Sequence, residues 1–275
     1  MLSNQQLQDI EQLQKECESF DQLQLKLNWE MLRNRESHQL DLFHYENEEL
    51  VAFFALYVFG STVEVCGMVK PSERRKGHFQ RLFEQGMKII AKNTYKKILL
   101  NAPAGSDGAI AFLNKQGAKY ALTEHQMEWQ EGFIEEVKGV TLRKAMIDDL
   151  DMCVRLTVEA FGEDEEDAKV MEIGVIEDTD TSMLMIEVNE EIVGKIRLYI
   201  EADQAWIYGF AILREQRGKG IGRKVLRQII RDHRAAGHSV HLEVETSNAY
   251  ALGLYESVGF KVVHAQDYYT YEAMD

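Results

Sequence analysis

The sequence predicts a mixed α/β fold that occurs twice along the chain. Three observations carry this prediction: an internal repeat, strand-like stretches that alternate with helical ones, and a glycine-rich turn between a strand and a helix. Residues 63–85 can be laid over residues 206–228, and residues 112–120 over residues 254–262. Two matches in the same order, at nearly the same offset, indicate two copies of one fold.

The second copy defines the order of elements through its hydrophobic periodicity. Its strands are expected at 183–188, 191–200, 205–213 and 240–244, and its helices at 150–161, 221–233 and 249–258. Gly259 ends the last helix, and a β-rich tail from Tyr268 follows. The first copy gives the same order and has its last strand near residues 122–129. We therefore place the boundary close to Glu136, which gives domains 1–136 and 137–275.

Length and composition exclude several classes of protein. A chain of 275 residues is expected to form two domains of ordinary size. The net charge of −15 disfavours binding to nucleic acid or to an anionic membrane. The N-terminus lacks the pattern of a secretory signal, and three scattered cysteines indicate neither disulfides nor a metal cluster. We expect a cytoplasmic protein that uses no metal and binds neither nucleic acid nor membrane.

The stretch QRGKGIGRKVL, residues 216–226, combines three glycines with four cationic side chains. A strand that feeds such a turn at the start of a helix can hold an anion, because the first helical N–H groups lack partners. The spacing G-x-G-x-G fits neither the dinucleotide fingerprint nor the P-loop. A turn of this kind can equally serve packing alone.

Two motifs together resemble those of the GNAT superfamily of acyl-CoA-dependent N-acyltransferases. The run FAI at 210–212 and the R-x-x-G-x-G at 217–222 precede N-x-x-A-x-x-L-Y-x-x-x-G-F at 248–260, in the family's order. The resemblance covers roughly residues 138–275. It implies two tandem GNAT folds of mixed α/β type, with acetyl-CoA as cosubstrate and two central strands that splay apart around its pantetheine arm.

The resemblance also implies a role for each matching residue. The strand backbone would bind the pantetheine arm, and the turn amides would bind the pyrophosphate. Asn248 would contact the cofactor. The implied acetyl-CoA-binding residues are Phe210, Ala211, Ile212, Arg217, Gly218, Lys219, Gly220, Ile221, Gly222, Arg223, Asn248 and Tyr255. Tyr255 matches the family's general acid, which protonates the departing thiolate. Its helical spacing from Leu252 is also compatible with a plain core position.

The general base is less clearly marked. The family often places a carboxylate on the strand that carries residues 210–212, and here that strand has none. Glu243 and Glu245 on the next strand are the remaining candidates, although exposed strand positions are often plain surface. His238 and His241 have no third ligand at convincing spacing, so no metal site is predicted.

The first copy has lost the residues that carry the chemistry. Phe79 replaces the last glycine of the turn, Leu113 occupies the position of Tyr255, and Ser106 that of Asn248. We expect a GNAT-like domain without catalysis of its own. This arrangement resembles tandem members of the family, including mycothiol-synthase-like proteins, in architecture.

The sequence therefore predicts an N-acetyltransferase that acetylates the primary amine of a small acceptor by direct attack in a ternary complex. The acidic stretch at residues 162–181 suits a cationic amine, although a solvated face is the default for such a run. The alternative is a non-catalytic acyl-CoA-binding or regulatory protein built from two GNAT-like scaffolds. The family dimerises in several ways, so an oligomer stays open.

Overall fold

The computed structural model describes residues 1–35, 38–130, 132 and 137–272. Its helices are α1 (Asn4–Asp21), α2 (Trp29–Asn34), α3 (His78–Ile90), α4 (Asp107–Lys115), α5 (Leu150–Phe161), α6 (Glu165–Glu177), α7 (Ile221–Ala235) and α8 (Ala249–Ser257). Its strands are β1 (Asp41–Glu46), β2 (Glu49–Phe59), β3 (Thr62–Val69), β4 (Lys97–Pro103), β5 (Lys119–Trp129), β6 (Thr141–Lys144), β7 (Thr181–Val188), β8 (Glu191–Glu201), β9 (Gln204–Ile212), β10 (Ser239–Glu245) and β11 (Phe260–Thr270). The predicted alternation is confirmed; α6 and β6 are additional elements.

The chain forms two units, and each contains a closing strand from the other half of the sequence. The first unit, Met1–Thr123 with His264–Asp275, has the strand order β1-β2-β3-β4-β11. The second, Glu124–Val263, has the order β5-β10-β9-β8-β7-β6. This division differs from the predicted domains 1–136 and 137–275. The predicted boundary at Glu136 lies outside the described residues. The domains 1–136 and 137–275 therefore stay a prediction, and they refer to the two motif copies along the sequence.

In the second unit, α7 packs on one face of the sheet through an apolar stripe of helical period. The stripe consists of Ile221, Val225, Leu226, Ile229 and Ile230. It joins buried strand residues such as Ile207, Val240 and Leu242 in one core. Each fully buried aliphatic side chain of this kind contributes roughly 1.5–3 kcal/mol. This packing fixes the start of α7 at the end of β9.

In the first unit, β2 is buried on both faces because helices cover both. Ile10, Leu13 and Cys17 of the amphipathic helix α1 pack on one side. Leu82 and Phe83 of α3 pack on the other side. A capping box between Ser3 and Gln6 starts α1. Because both faces of β2 are covered, its sequence is a nearly continuous apolar run.

The cysteines lie inside the two units. Cys17, Cys66 and Cys153 are free and buried. Burial raises the pKa of the Cys66 thiol to about 12, so this thiol is unreactive at neutral pH. No helix in the described part of the chain combines the length and the apolar character that crossing a membrane requires.

A buried polar cluster joins α5, α6 and β8. Lys195 is 1% exposed and donates hydrogen bonds to Glu172 and to the Thr157 hydroxyl. Thr157 in turn donates to Glu172 Oε1 at 2.6 Å. Glu172 belongs to the acidic stretch for which a solvated face was the default, and the structure corrects that expectation at this residue. Burial lowers the pKa of Lys195, and the Glu172 carboxylate opposes that shift.

Removing one charge of this pair should destabilise the second unit more than removing both. Lys195→Met or Glu172→Leu alone leaves a buried charge without its partner, which costs about 3–5 kcal/mol. The double variant replaces both groups with apolar side chains. Its free energy of unfolding should fall by less than half the sum of the two single effects. Urea unfolding of the three variants measures this. Additive losses would mean that the two charges do not interact.

Candidate functional site

β9 and β10 separate part of the way along their length. They pair in parallel from Gln204 with Ser239 to Ile207 with Leu242. Beyond that point the described strands continue without pairing to each other, to Ile212 in β9 and Glu245 in β10. An opening lined by unpaired strand edge therefore lies between them, as the resemblance implied.

A β-bulge in β9 lies at the point of separation. Against β8, Ala211 pairs with Lys195 and Tyr208 pairs with Arg197. Gly209 and Phe210 therefore stand opposite the single residue Ile196. Gly209 has a φ of 53°, which glycine adopts without strain. A bulge bends its strand and increases the local twist, which gives a physical reason for β9 to leave β10 here.

The backbone past the bulge has one side towards β8 and one towards the opening. The N–H of Leu213 donates to the Val193 carbonyl at 2.9 Å, so it faces β8. A Cβ on Gly194 would collide with the Ala211 carbonyl oxygen, so Ala211 also faces β8. Because successive residues of a strand alternate, the Ile212 backbone faces the opening. Its N–H is therefore a donor directed towards the space between the strands.

The glycine turn leaves the start of α7 uncapped. Gly218 and Gly220 both have a φ of 77°, in the left-handed region. Gly220 is the N-cap residue, and within the described chain no side chain makes a capping hydrogen bond there. By contrast, Asp164 caps α6 and Asn248 caps α8. The first N–H groups of α7 can therefore donate hydrogen bonds to an external anion, and the helix dipole favours its negative charge.

Cationic side chains surround this turn. Arg217 Nε donates to the Ile212 carbonyl at 2.9 Å, which ties the turn to the end of β9. Lys219 Nζ donates to Gln216 Oε1 at 2.8 Å, and Arg223 Nη2 to Ser257 Oγ at 3.1 Å. All three cations are exposed. In a chain of net charge −15 they make this turn a local positive site.

The second motif forms α8 and positions Tyr255. Asn248 Oδ1 accepts from the N–H of Ala251 at 3.1 Å and thereby caps the helix. Tyr255 is 8% exposed, and its ring packs edge-on against Phe260 at 6.0 Å between centroids. Burial raises the pKa of Tyr255 to about 12. Its hydroxyl is therefore protonated at neutral pH and can act as a donor, and its ring also belongs to the core.

The two candidate bases differ in exposure. Glu243 is half-buried opposite Gln126 of β5, whereas Glu245 is exposed and accepts a hydrogen bond from the Ser247 hydroxyl. Both lie on the sheet face opposite Val244 and its buried neighbours in β10, as the alternation of the strand requires.

His238 and His241 have different neighbours. Nδ1 of His238 lies 3.4 Å from Nδ1 of His233. His241 Nε2 lies 2.7 Å from Ser239 Oγ, and its ring stacks on Trp206 at 4.9 Å between centroids. Burial lowers the pKa of His241. The sequence analysis did not mark this stacked pair, because one histidine and one tryptophan on neighbouring strands leave no spacing signal.

In the first unit the matching turn keeps its backbone conformation. Gly77 has a φ of 86° and precedes α3 without a side-chain cap among the described residues. Arg74 Nε donates to the Val69 carbonyl at 3.1 Å, as Arg217 does to Ile212. A cavity of about 630 Å³ lies in this unit, and Gly77, Phe79, Ser106 and Leu113 are among its lining residues.

A glycine and a phenylalanine pack against each other beside the turn in both units, but they occupy opposite positions in the two. In the first unit the Phe79 ring packs directly on Gly67, where a Cβ would collide with it. In the second unit Phe210 lies on the strand and faces Gly222 at the start of the helix, in the matching positions. The Phe79 ring is therefore turned towards the strand.

Other features distinguish the first unit. The pairing of β2 with β3 runs without a bulge from Ala52 with Val69 to Phe59 with Thr62. Ser106 starts α4 without a capping hydrogen bond from its side chain, and the buried Leu113 has no hydroxyl to donate.

Comparison with known proteins agrees with this geometry. The model of the acetyltransferase (GNAT) family matches the chain twice, over residues 4–118 and 146–260. A search of curated proteins finds no match.

Solved structures share the fold over nearly the whole chain. A GCN5-related N-acetyltransferase from Sphaerobacter thermophilus is 22% identical, with a TM-score of 0.77 over 97% of this chain and 92% of that one. A tandem GNAT protein from the clavulanic acid biosynthesis pathway is 13% identical, with a TM-score of 0.69 over 100% of this chain and 98% of that one. The family model spans well over half of the sequence, and we conclude that the protein is a tandem-domain N-acetyltransferase of the GNAT family.

Proposed function

We propose that the second motif copy, within residues 137–275, transfers an acetyl group from acetyl-CoA to the primary amine of a small acceptor by direct attack in a ternary complex. One observation carries the proposal: the open edge of β9 at Ile212 leads directly to the uncapped start of α7. A linear molecule with an amide-containing arm and a pyrophosphate suits these two features together.

The residues present fit acetyl-CoA. The amides at the start of α7 and the side chains of Arg217, Lys219 and Arg223 would hold the pyrophosphate. The open edge of β9 would bind the pantetheine arm as an added strand does. Phe210, Ala211, Gly218, Gly220, Ile221, Gly222 and Asn248 complete the proposed cofactor-binding set. When bound, acetyl-CoA supplies the activated acetyl group.

The chain's own groups supply the rest of the chemistry. Tyr255, protonated at neutral pH, is the proposed general acid for the departing thiolate. The Ile212 N–H is the proposed donor to the oxyanion. Glu243 or Glu245 is the proposed base that takes the proton from the attacking amine. The first copy lacks the tyrosine and the bulge, and we assign it no catalysis.

Gly222→Ala should weaken acetyl-CoA binding without destabilising the fold. Its Cβ would lie 3.1 Å from Leu254 Cδ2, a flexible side-chain end, and alanine is favoured over glycine in a helix by about 1 kcal/mol. The added methyl group would press on Leu254 and Phe210, and relief of this contact would shift the first turn of α7 with the amides that hold the pyrophosphate. Calorimetry and thermal unfolding check the two effects separately.

Gly220→Ala is the matched control for this substitution. At a φ of 77° an alanine costs about 1–2 kcal/mol, so this variant should lose stability as well as affinity. Unchanged acetyl-CoA affinity in Gly222→Ala would argue that the turn serves packing alone.

Tyr255→Phe should reduce kcat by about 10²–10³ and leave acetyl-CoA affinity unchanged, because it removes only the proton donor. Calorimetric titration of the full-length protein should give one acetyl-CoA site per chain in both forms. Tyr250→Phe, at a 69% exposed position of the same helix, is the control and should keep full activity.

Three outcomes would contradict parts of the proposal. Full activity in Tyr255→Phe would make Tyr255 a core residue only. Two acetyl-CoA sites per chain would show that the first copy also binds it. Binding without transfer to any amine would favour the non-catalytic alternative.

The pH profile gives an independent check on Tyr255. A general acid works below its pKa, and here the pKa is about 12. Ionisation of Tyr255 should therefore cause no loss of kcat below about pH 10. Wild type and Tyr255→Phe should show the same profile shape in this range. An alkaline limb near neutrality that disappears in the variant would show that Tyr255 ionises there, which contradicts the raised pKa but keeps Tyr255 as the acid.

We also propose that the acceptor is cationic. Glu163, Glu165 and Glu166 are exposed where α6 begins. Acidic residues at this place also stabilise the helix through its dipole, so they have a structural role as well. Their charge would nevertheless attract a protonated polyamine or amino sugar before it loses a proton to the base.

Salt should raise the KM of a cationic acceptor severalfold between low and about 0.5 M ionic strength, because exposed charges are screened. Glu165→Gln with Glu166→Gln should raise KM at low salt and reduce this salt dependence. Glu84→Gln, at an exposed position of α3, is the control for removing a surface carboxylate elsewhere. A KM that does not change with salt would count against a cationic acceptor.

A further inference from the structure

Imidazole and carboxylate side chains meet at one place in the first unit. His44 and Glu46 lie at the end of β1, and His78 is the first residue of α3. Glu73 lies in the 3₁₀ turn just before that helix. We propose that His44, Glu46 and His78 form a divalent metal site that prefers Zn²⁺.

The spacing of the donor atoms carries the proposal. Glu46 Oε1 lies 3.3 Å from His44 Nε2 and 3.7 Å from His78 Nε2. One ligand atom from each of the three residues can be chosen so that all lie within 4.8 Å of one another. Donors around a tetrahedral zinc ion, with bonds of about 2.0–2.1 Å, stand roughly 3.3–3.4 Å apart. Small side-chain movements would bring the three donors to this geometry.

His78 provides the second, independent observation. Its side chain is 4% exposed, and its Nε2 has no hydrogen-bond partner in the described structure. Glu46 and Glu73 approach this atom only to 3.7 Å and 3.6 Å, beyond ordinary hydrogen-bond length. A buried ring nitrogen without a partner is unfavourable, and a metal ion between it and the carboxylate would satisfy it.

The donor set selects the class of ion. Two imidazoles and a carboxylate suit Zn²⁺ and its neighbours Ni²⁺ and Cu²⁺, whereas Mg²⁺ and Ca²⁺ prefer oxygen ligands. The rings of His44 and His78 are stacked 4.6 Å apart at 27°, so both Nε2 atoms approach the same carboxylate oxygen. The ion would join the end of β1 to the start of α3 and would take its fourth ligand from water.

Two cationic side chains contact residues at or beside the proposed site, and one of them competes with the ion. Arg81 Nη2 lies 2.7 Å from His78 Nδ1, and because arginine can only donate, the ring proton is then on Nε2. Metal binding must move that proton to Nδ1 and displace Arg81. Lys76 Nζ lies 2.7 Å from Glu73 Oε2, so we assign Glu73 no ligand role.

Zinc titration of the full-length protein, after treatment with a chelator, tests the site. ZnCl₂ in competition with a chromophoric chelator should show one tight site per chain. His44→Ala and Glu46→Gln should each weaken Zn²⁺ at least tenfold and still fold, since both side chains are partly exposed. Co²⁺ in place of Zn²⁺ should give the visible absorption of a tetrahedral complex.

Further variants make the test specific. His233→Ala with His238→Ala removes the other close histidine pair and should leave Zn²⁺ affinity unchanged. Arg81→Gln, whose amide oxygen can accept from Nδ1, should strengthen Zn²⁺ binding about tenfold. The proposal is overturned if no saturable site exists, or if binding survives His44→Ala and disappears in the His233/His238 variant.

Discussion

The parting of β9 from β10 is the constraint on which the candidate site depends. Parallel strands normally exchange hydrogen bonds along their whole length, and these two stop at Ile207 and Leu242. The bulge at Gly209 and Phe210 bends β9 at that place. An open strand edge is a liability unless something pairs with it. The same edge that weakens the sheet is therefore the one that can hold a ligand by backbone hydrogen bonds.

The two units show which parts of this arrangement belong to the backbone and which to side chains. The turn before α3 and the turn before α7 share two left-handed positions, Arg75 and Gly77 in the first and Gly218 and Gly220 in the second. They also share an arginine that bonds the preceding strand. The glycine and the phenylalanine that pack beside each turn have changed places between strand and helix. Packing volume is thus kept while the surface near the turn differs. The backbone conformation alone does not distinguish the two turns.

The sequence predicts local structure well here because the local signals are strong. Apolar residues of α1 and α7 recur at helical spacing, and the glycines at 218 and 220 occupy positions that require a positive φ. Tyr255 was found through its motif, and the structure adds its burial.

Long-range features could not be predicted in the same way. The closing strands β5 and β11 each follow their own motif copy along the sequence, and no local pattern predicts that β5 pairs with β10 and β11 with β4. Glu172 reads as one more charge in an acidic run, and only the position of Lys195 on β8 makes it a buried partner. His44 and His78 are 34 residues apart in number, and the packing of α3 on β2 is what places their rings together.

The assignment of the closing strands constrains how the chain folds during synthesis. The sheet of the first unit ends with β11, whose residues are among the last of these 275 to be made. Until then β4 has one unpaired edge, and the N-terminal segment cannot reach its final structure as it leaves the ribosome. Contacts of such high sequence separation form slowly, and exposed edges invite pairing with other chains. Release of the nascent chain before β11 is made would therefore yield a species with an open edge at β4, which is prone to associate with other chains.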